Sequence, residues 1–185
     1  MLPVLDCTLG SPEENLAFDD SLLQAGQETL RFWESPVPFV VLGRSGRVEE
    51  VVNVAACEAA GIPVLRRSSG GGTVLQGPGC LNYALVLSLA HRPALRNVPE
   101  SYSILLSAVA RALGVPGLEV RGSDILYHGR KVSGNAQRRT TGWLLHHGTI
   151  LHGLDVRLLE RLLPEPRKQP AHREGRTHRQ FIGTL

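Results

Sequence analysis

Leu81-Asn82-Tyr83-Ala84-Leu85-Val86-Leu87-Ser88-Leu89 is the stretch on which the fold class turns. It is nearly continuous in apolar residues, the pattern of a strand covered on both faces, so it is expected deep in a sheet. Upstream, residues 64–67 and 73–75 read as strands on either side of the loop Ser68-Ser69-Gly70-Gly71-Gly72. Residues 29–33 and 37–42 read as two more, parted by Glu34-Ser35-Pro36, with Pro38 marking an edge or a strand start. Downstream, residues 125–127 and 131–136 flank His128-Gly129-Arg130 as a tight hairpin, and residues 143–151 form a further strand.

Helices fall only between these groups. Ser11, Pro12 and Glu14 supply a cap, a first-turn proline and a capping-box partner for a helix whose apolar residues Leu16, Phe18, Leu22, Leu23 and Ala25 end at Gly26. Asn53 is placed to cap a short helix through Ala60, and residues 102–113 form an amphipathic one closed by Gly114. Asp155 caps a helix over 156–163 that Pro164 terminates. Strands joined by short turns, with helices between the groups, predict an α+β fold with a mixed, largely antiparallel sheet and flanking helices. At 185 residues the chain is expected to form a single domain, 1–185.

Composition excludes several classes. No apolar run approaches the ~20 residues of a membrane-spanning helix, and the N-terminus lacks the basic and apolar regions of a signal peptide. A cytoplasmic protein without a membrane partner is the expectation. Cys7, Cys57 and Cys80 are odd in number and lack a C-x-x-C pair, so reduced thiols are expected instead of a disulfide framework or zinc knuckle. The net charge of +3 is concentrated at one end, residues 167–185 carrying five basic residues against Glu174. With Phe181 as its single aromatic, this segment lacks the basic stripe with interleaved aromatics of a nucleic-acid binder and reads as a solvated basic tail.

Three segments carry chemistry. In Arg66-Arg67-Ser68-Ser69-Gly70-Gly71-Gly72, three glycines let the backbone approach a ligand and offer successive N–H groups to an anion, with guanidinium groups beside them. The loop is neither a P-loop nor a dinucleotide fingerprint. Lys131 opens the strand Lys131-Val132-Ser133-Gly134-Asn135-Ala136, where strict alternation predicts Lys131, Ser133 and Asn135 on one face. Asp124, just before the hairpin, is a candidate partner for a metal or a hydroxyl. His146 and His147 are consecutive in a strand and must face opposite ways, which argues against zinc.

In this order, the Arg66 loop, Gly79-Cys80-Leu81-Asn82-Tyr83, Ser123-Asp124-Ile125-Leu126, Gly129-Arg130-Lys131-Val132-Ser133-Gly134-Asn135-Ala136-Gln137 and His146-His147-Gly148-Thr149 resemble the lipoate-protein ligase catalytic domain. Glu14-Asn15-Leu16-Ala17 and Val41-Leu42-Gly43-Arg44 are similar to further patches of that family. The loop differs from the Gly-Arg-Gly-Arg pattern of biotin ligases. The resemblance implies ATP-dependent attachment of lipoate to a lysine of a lipoyl-domain protein through a lipoyl-adenylate, with ATP and Mg²⁺. The alternative is a lipoyl or octanoyl transferase acting between carriers through a cysteine thioester. Lys131 is implied as the catalytic residue. Substrate and nucleotide contacts are implied for Arg44, Arg67, Ser69, Gly70, Gly71, Gly72, Thr73, Asn82, Asp124, Ser133, Gly134, Asn135, Ala136, His147, Gly148 and Thr149. Asp124 is also implied for Mg²⁺ through the nucleotide, and Leu16, Val74 and Ala136 for an acyl tunnel. Many ligases of this type continue into a small accessory domain. None is expected within this chain, so a separate accessory protein joins the lipoyl-domain acceptor as an expected partner.

Overall fold

The computed structural model describes residues 2–185. A short strand β1 (Val4–Asp6) leads to α1 (Pro12–Ala25), which starts and stops as its sequence dictates. The Ser11 hydroxyl accepts from the Glu14 N–H, the Glu14 carboxylate accepts from the Ser11 N–H, and Gly26 closes the helix in the left-handed region. Then come β2 (Thr29–Trp33), β3 (Phe39–Leu42), the short helices α2 (Val48–Val51) and α3 (Val54–Ala59), and β4 (Val64–Arg66). After the glycine loop, β5 (Val74–Gln76) and β6 (Cys80–Ser88) precede α4 (Val98–Leu113). The strands β7 (Leu118–Arg121), β8 (Asp124–Tyr127), β9 (Arg130–Arg139) and β10 (Trp143–Leu151) follow, and α5 (Val156–Leu162) and α6 (His178–Phe181) complete the order.

The fold is α+β, as expected, but the strands divide into two sheets. Seven form one sheet in the order β1-β2-β6-β10-β9-β8-β7, antiparallel except for the β1–β2 pair. The other is β4-β3-β5, with β3 parallel to β4 and antiparallel to β5. Pro38 therefore marks a strand start and not an edge, because β3 is the middle strand. The long apolar strand β6 lies between β2 and β10, buried on both sides as its composition requires. One face of the large sheet packs Ala84, Val86 and Leu145 against Leu23 of α1. The opposite face packs Leu87 and Leu144 against Leu105 of α4. The largest cluster joins Val40, Leu42 and Leu75 of the small sheet to Leu159 and Leu162 of α5 and to Phe181 and Ile182.

The helix facing the sheet through α1 is not the purely apolar one its leucines suggest. Its buried positions include Asn15 and Asp19, which receive the fully buried Arg31 guanidinium of β2. Arg31 Nη1 lies 2.7 Å from Asp19 Oδ1 and donates to the Asn15 carbonyl at 3.0 Å. Two further departures trace to capping and pairing. α4 begins four residues earlier than its apolar pattern implies, because Asn97 caps the Glu100 N–H and Pro99 fits the first turn. β7 was invisible as an isolated strand and exists through its pairing with β8.

The C-terminal basic segment corrects the expectation of a solvated tail. Phe181, Ile182, Arg173 and His178 are all buried. The Arg173 and Arg176 guanidinium groups lie 5.2 and 5.1 Å from the Phe181 ring centroid, and Arg173 also pairs with Glu165. Arg176 donates to the Gly129 carbonyl at 2.8 Å, and Arg130 donates to the carbonyls of Arg179 and Ile182. The positive charges thus cap carbonyls and cover an aromatic ring, uses that a charge count does not reveal.

Candidate active site

The glycine loop connects β4 to β5 and lies against the loop that follows β3. A Cβ at Gly43 would stand 2.1 Å from the Gly71 carbonyl oxygen, so only glycine allows the two loops to meet. Both arginines before the loop are occupied, Arg67 in holding the glycine loop and Arg66 in holding the loop after β3. Arg67 donates from Nη2 to the carbonyls of Gly70 and Gly72 at 2.7 and 2.9 Å, and from Nε to Ser69 Oγ at 3.0 Å. Arg66 Nη1 donates to the carbonyls of Gly43, Arg44 and Gly46 at 2.8–3.0 Å. Burial pushes Arg67 down to about 10. With the loop carbonyls drawn toward these guanidinium groups, the N–H groups of Gly70, Gly71 and Gly72 find no partner among the described residues. The loop is therefore a nest of free donors held open from behind by arginine.

That nest lies over one face of the large sheet. Ser69 Oγ is 2.6 Å from Nε2 of His147 in β10, and a Cβ on Gly71 would approach Ala136 of β9 to 3.9 Å. His147 and Ala136 are register partners, as are Thr149 and Asn82, and alternation carries all four onto this face. Burial, with the Arg67 charge beside it, pushes His147 down to about 3, leaving a neutral ring that shares a proton with Ser69. Asn82 donates to its neighbouring Cys80 carbonyl at 3.2 Å.

Lys131 joins the same face through a bulge. Ile125 pairs with Ser133 while Leu126 pairs with Lys131, so Val132 is an extra residue in β9. Past it the alternation changes phase. Lys131 falls on the face of Asp124, Gly134 and Ala136, whereas Ser133 and Asn135 fall on the other, which corrects the single polar face that strict alternation predicts. The Lys131 ammonium is 2.8 Å from Asp124 Oδ1, and a Cβ on Gly134 would meet Lys131 Cε and Nζ at 2.7 and 2.8 Å. His172 Nε2 lies 2.9 Å from Asp124 Oδ2. Sequence reasoning missed His172, since it is 48 residues from Asp124 in a segment read as solvent-exposed.

Ser133, Asn135 and Gly148 belong to a closed network beneath α4. The Tyr83 hydroxyl donates to Asn135 Oδ1, and Asn135 Nδ2 donates to the Ser123 carbonyl at 3.0 Å and to Ser133 Oγ at 3.1 Å. Gln137 Nε2 and His146 Nδ1 are 3.1 Å apart, and Arg139 Nη2 donates to Ser101 Oγ at 2.6 Å. Burial, reinforced by Arg139, pushes His146 down to about 3. Gly148 is obligatory there, because a Cβ would stand 1.8 Å from Asn135 Oδ1. These side chains brace Ser123 and hence the entry to Asp124 from behind.

Two clefts open beside these groups. One of about 240 Å³ is lined by Leu16, Ala17, Asp20, Leu65, Arg66 and Arg67, and Ser68 donates its hydroxyl to Asp20. The other, about 460 Å³, is lined by Leu126, Gly129, His172 and Arg176 with Glu119 and Arg121. Arg44 is exposed, its N–H donating to the Ser69 carbonyl at 2.8 Å, and Thr73 is half-buried at the loop's exit. A protein-held Mg²⁺ does not fit this arrangement. The two Asp124 oxygens are engaged by Lys131 and His172, and the described residues contain no group of three metal-ligating side chains.

A family model described as the lipoyl protein ligase A/B catalytic domain matches residues 11–183. The octanoyltransferase LipM of Carboxydothermus hydrogenoformans is 33% identical over 177 residues, covering 83% of this chain and 65% of that protein. The lipoate-protein ligase LplJ of Bacillus subtilis is 31% identical over 154 residues, covering 82% of this chain and 46% of that protein. The chain thus spans between about half and two-thirds of these relatives' lengths. A bi-partite lipoate protein ligase of Thermoplasma acidophilum, described with its E2 lipoyl domain, superposes with a TM-score of 0.80 at 23% identity, covering 100% of this chain and 75% of that one. A lipoate-protein ligase A bound with ATP gives the same TM-score and identity, covering 99% and 75%. At that identity the structural match is one of fold. The sequence matches carry more, and on them the chain belongs to the lipoyl protein ligase A/B catalytic domain family.

Proposed function

We propose that the chain catalyses ATP-dependent, AMP-forming attachment of lipoate to a lysine of a lipoyl-domain protein, through a lipoyl-adenylate. The observation that carries this is a lysine ammonium on the same sheet face as a nest of free N–H donors, where the Cys80 thiol is fully buried. In the first half-reaction a lipoate carboxylate oxygen attacks the α-phosphorus of ATP and pyrophosphate leaves. Two anions must meet, and their repulsion at 4 Å grows from ~1 kcal/mol in water to ~4 kcal/mol at an effective dielectric of 20. Lys131 supplies positive charge where negative charge gathers, and the N–H groups of Gly70 to Gly72 supply donors that need no reorganisation. In the second half-reaction the acceptor lysine amine attacks the acyl carbonyl and AMP leaves. Any Mg²⁺ enters with the nucleotide, held by its phosphates.

Octanoyl or lipoyl transfer between carriers is the second reading, favoured by the identity to LipM. It needs a reactive thiol. Cys80 is fully buried and pushed up to about 12 by that burial, and burial also raises Cys57. Cys7 follows β1, the edge strand separated from β9 by β2, β6 and β10. These placements support ligation.

The deciding experiment incubates the chain with lipoate, MgATP and an apo lipoyl domain, and in parallel with an octanoylated carrier without ATP. ATP-dependent modification of the domain is expected. Transfer from the acylated carrier without ATP would establish the second reading instead. A separate accessory protein, also part of this proposal, is tested by its stimulation of the first reaction.

A further inference from the structure

Of the 20 basic residues in the chain only two are lysines, Lys131 and Lys168. Lys168 is exposed, while the Lys131 side chain keeps 22% of its surface and points at Asp124. An acyl-adenylate is an acylating agent meant for a lysine amine, and the proposed mechanism sets Lys131 against that intermediate. What stops Lys131 from consuming it? We propose that the clamp of Asp124 and His172 keeps Lys131 from acylating itself. The proposal rests on the adenylate-forming function above.

The unwanted step is simple to write. Deprotonated Nζ would attack the acyl carbonyl carbon, the N–C bond would form, the C–O bond to phosphate would break, and AMP would leave with the electron pair. The amine's proton would pass to solvent. The product, a neutral amide, would cost the site its positive charge. An ammonium has no lone pair with which to begin this attack. To reach an acyl carbon, Nζ must also abandon a contact of 2.8 Å with a carboxylate that is itself almost fully buried, leaving that charge without its partner. His172, 2.9 Å from the other carboxylate oxygen, stops Asp124 from turning away.

Sterics and backbone contacts reinforce the clamp. The lysine chain lies flat across Gly134, where even a Cβ would come within 2.7 Å of Cε. Its own backbone is fixed by the Gly183 N–H, which donates to the Lys131 carbonyl at 2.9 Å. The ammonium is therefore held as a charge and denied as a nucleophile by the same two neighbours. His172 acts through Asp124 and is a positioning residue.

The two-lysine composition makes the test clean. Wild type, Asp124→Asn and His172→Ala are treated with the N-hydroxysuccinimide ester of acetic acid without nucleotide. Acetylation of the Lys131 and Lys168 peptides is then followed by mass spectrometry, with Lys168 as internal reference. Lys131 should react slowly in wild type and at least roughly tenfold faster in Asp124→Asn, the order expected for loss of one charge-assisted hydrogen bond. His172→Ala should give a smaller rise. In a second arm pre-formed lipoyl-adenylate is the probe, and a lipoyl amide should accumulate at Lys131 in Asp124→Asn but not in wild type. Because the adenylate is supplied ready-made, this arm judges the clamp even for a chain that makes none. Failure of the ligase function itself would show as no adenylate from lipoate and ATP in wild type. Lys131 labelled as fast as Lys168 in wild type, or unaltered in both variants, overturns the proposal. Thermal melts report whether each variant is folded, and His172→Ala, which leaves the ion pair's two partners in place, decides if Asp124→Asn is not.

Discussion

His146 and His147 are adjacent in β10, both are neutral, and they serve opposite faces of one sheet. Under α4, His146 sits in a network where Tyr83, Asn135, Ser133, Gln137 and Ser101 satisfy one another. Across the sheet, His147 supports Ser69 beneath a loop whose Gly70, Gly71 and Gly72 N–H groups have no partner among the described residues. A buried polar face that is complete can only stabilise, since an unmatched buried group costs about 1–3 kcal/mol. An incomplete one awaits a ligand. Polar residues on β10 are thus divided between bracing and binding by simple alternation, and on β9 the bulge at Val132 sets the same division.

The sharpest way to break this comparison is to remove a charge from the open face. Lys131→Ala should lower ATP-dependent lipoate attachment by on the order of 10²–10³, the pattern of a lost transition-state donor, and should also lower the urea midpoint, because the buried Asp124 carboxylate loses its cation. Near wild-type ligation would end its catalytic assignment. The next effect concerns both faces at once. His146 and His147 refuse protons in the folded state down to about pH 3, whereas unfolded histidines accept them near pH 6.5. Their contribution to stability is therefore complete above pH 6.5 and is lost as pH falls toward 3. With both dry, the slope of unfolding free energy from these two rings approaches about 2.7 kcal/mol per pH unit within that window. Urea titrations between pH 7.5 and 5 measure it. A slope cut by His146→Gln but untouched by His147→Gln would mean that the open face is wet.

Two glycine substitutions sharpen the contrast further. Gly148→Ala should cost about 1–3 kcal/mol of stability, because its Cβ collides with Asn135 inside the complete network. Gly134→Ala pushes the end of the Lys131 side chain off its contact with Asp124, so activity should fall roughly 10–100-fold through misplacement of the ammonium, with a smaller loss of stability than Gly148→Ala. Thermal melts and initial rates on the pair separate the two outcomes. The smallest change is expected from replacing Cys7, Cys57 and Cys80 together with alanine, which should leave ATP-dependent attachment intact apart from packing losses. An octanoyl or lipoyl group trapped on Cys80 of the wild-type chain would instead favour a transferase.

Features written in neighbouring residues were legible in the sequence. The capping box of α1, the Asn53 and Asp155 caps and the bounds of β10 all follow from local signals. The glycine loop and Lys131 were singled out as candidates from their residues, and the resemblance to lipoate-protein ligases implied their roles. What escaped depends on partners far along the chain. Val132 looks like any strand residue until β8 is laid beside it, and only then do Ser133 and Asn135 turn away from Lys131. The arginines flanking the glycines read as anion clamps because the carbonyls that occupy them, as distant as Val41 and Gly43, become neighbours only after folding. His172 was hidden by its basic surroundings, whose charges are absorbed by Phe181, Glu165 and the hairpin carbonyls.

The backbone pairing of Lys131 with Ile182 and Gly183 also has a consequence in time. Some fifty residues separate the two partners, so a ribosome adding ~5–20 residues per second leaves the hairpin without them for roughly 3–10 s. During that interval the large sheet has all of its strands, yet His172 has not reached Asp124. Vectorial synthesis therefore orders the events: scaffold first, clamp last. A stalled nascent chain ending after β10 should fold its sheet and still leave Lys131 chemically unguarded.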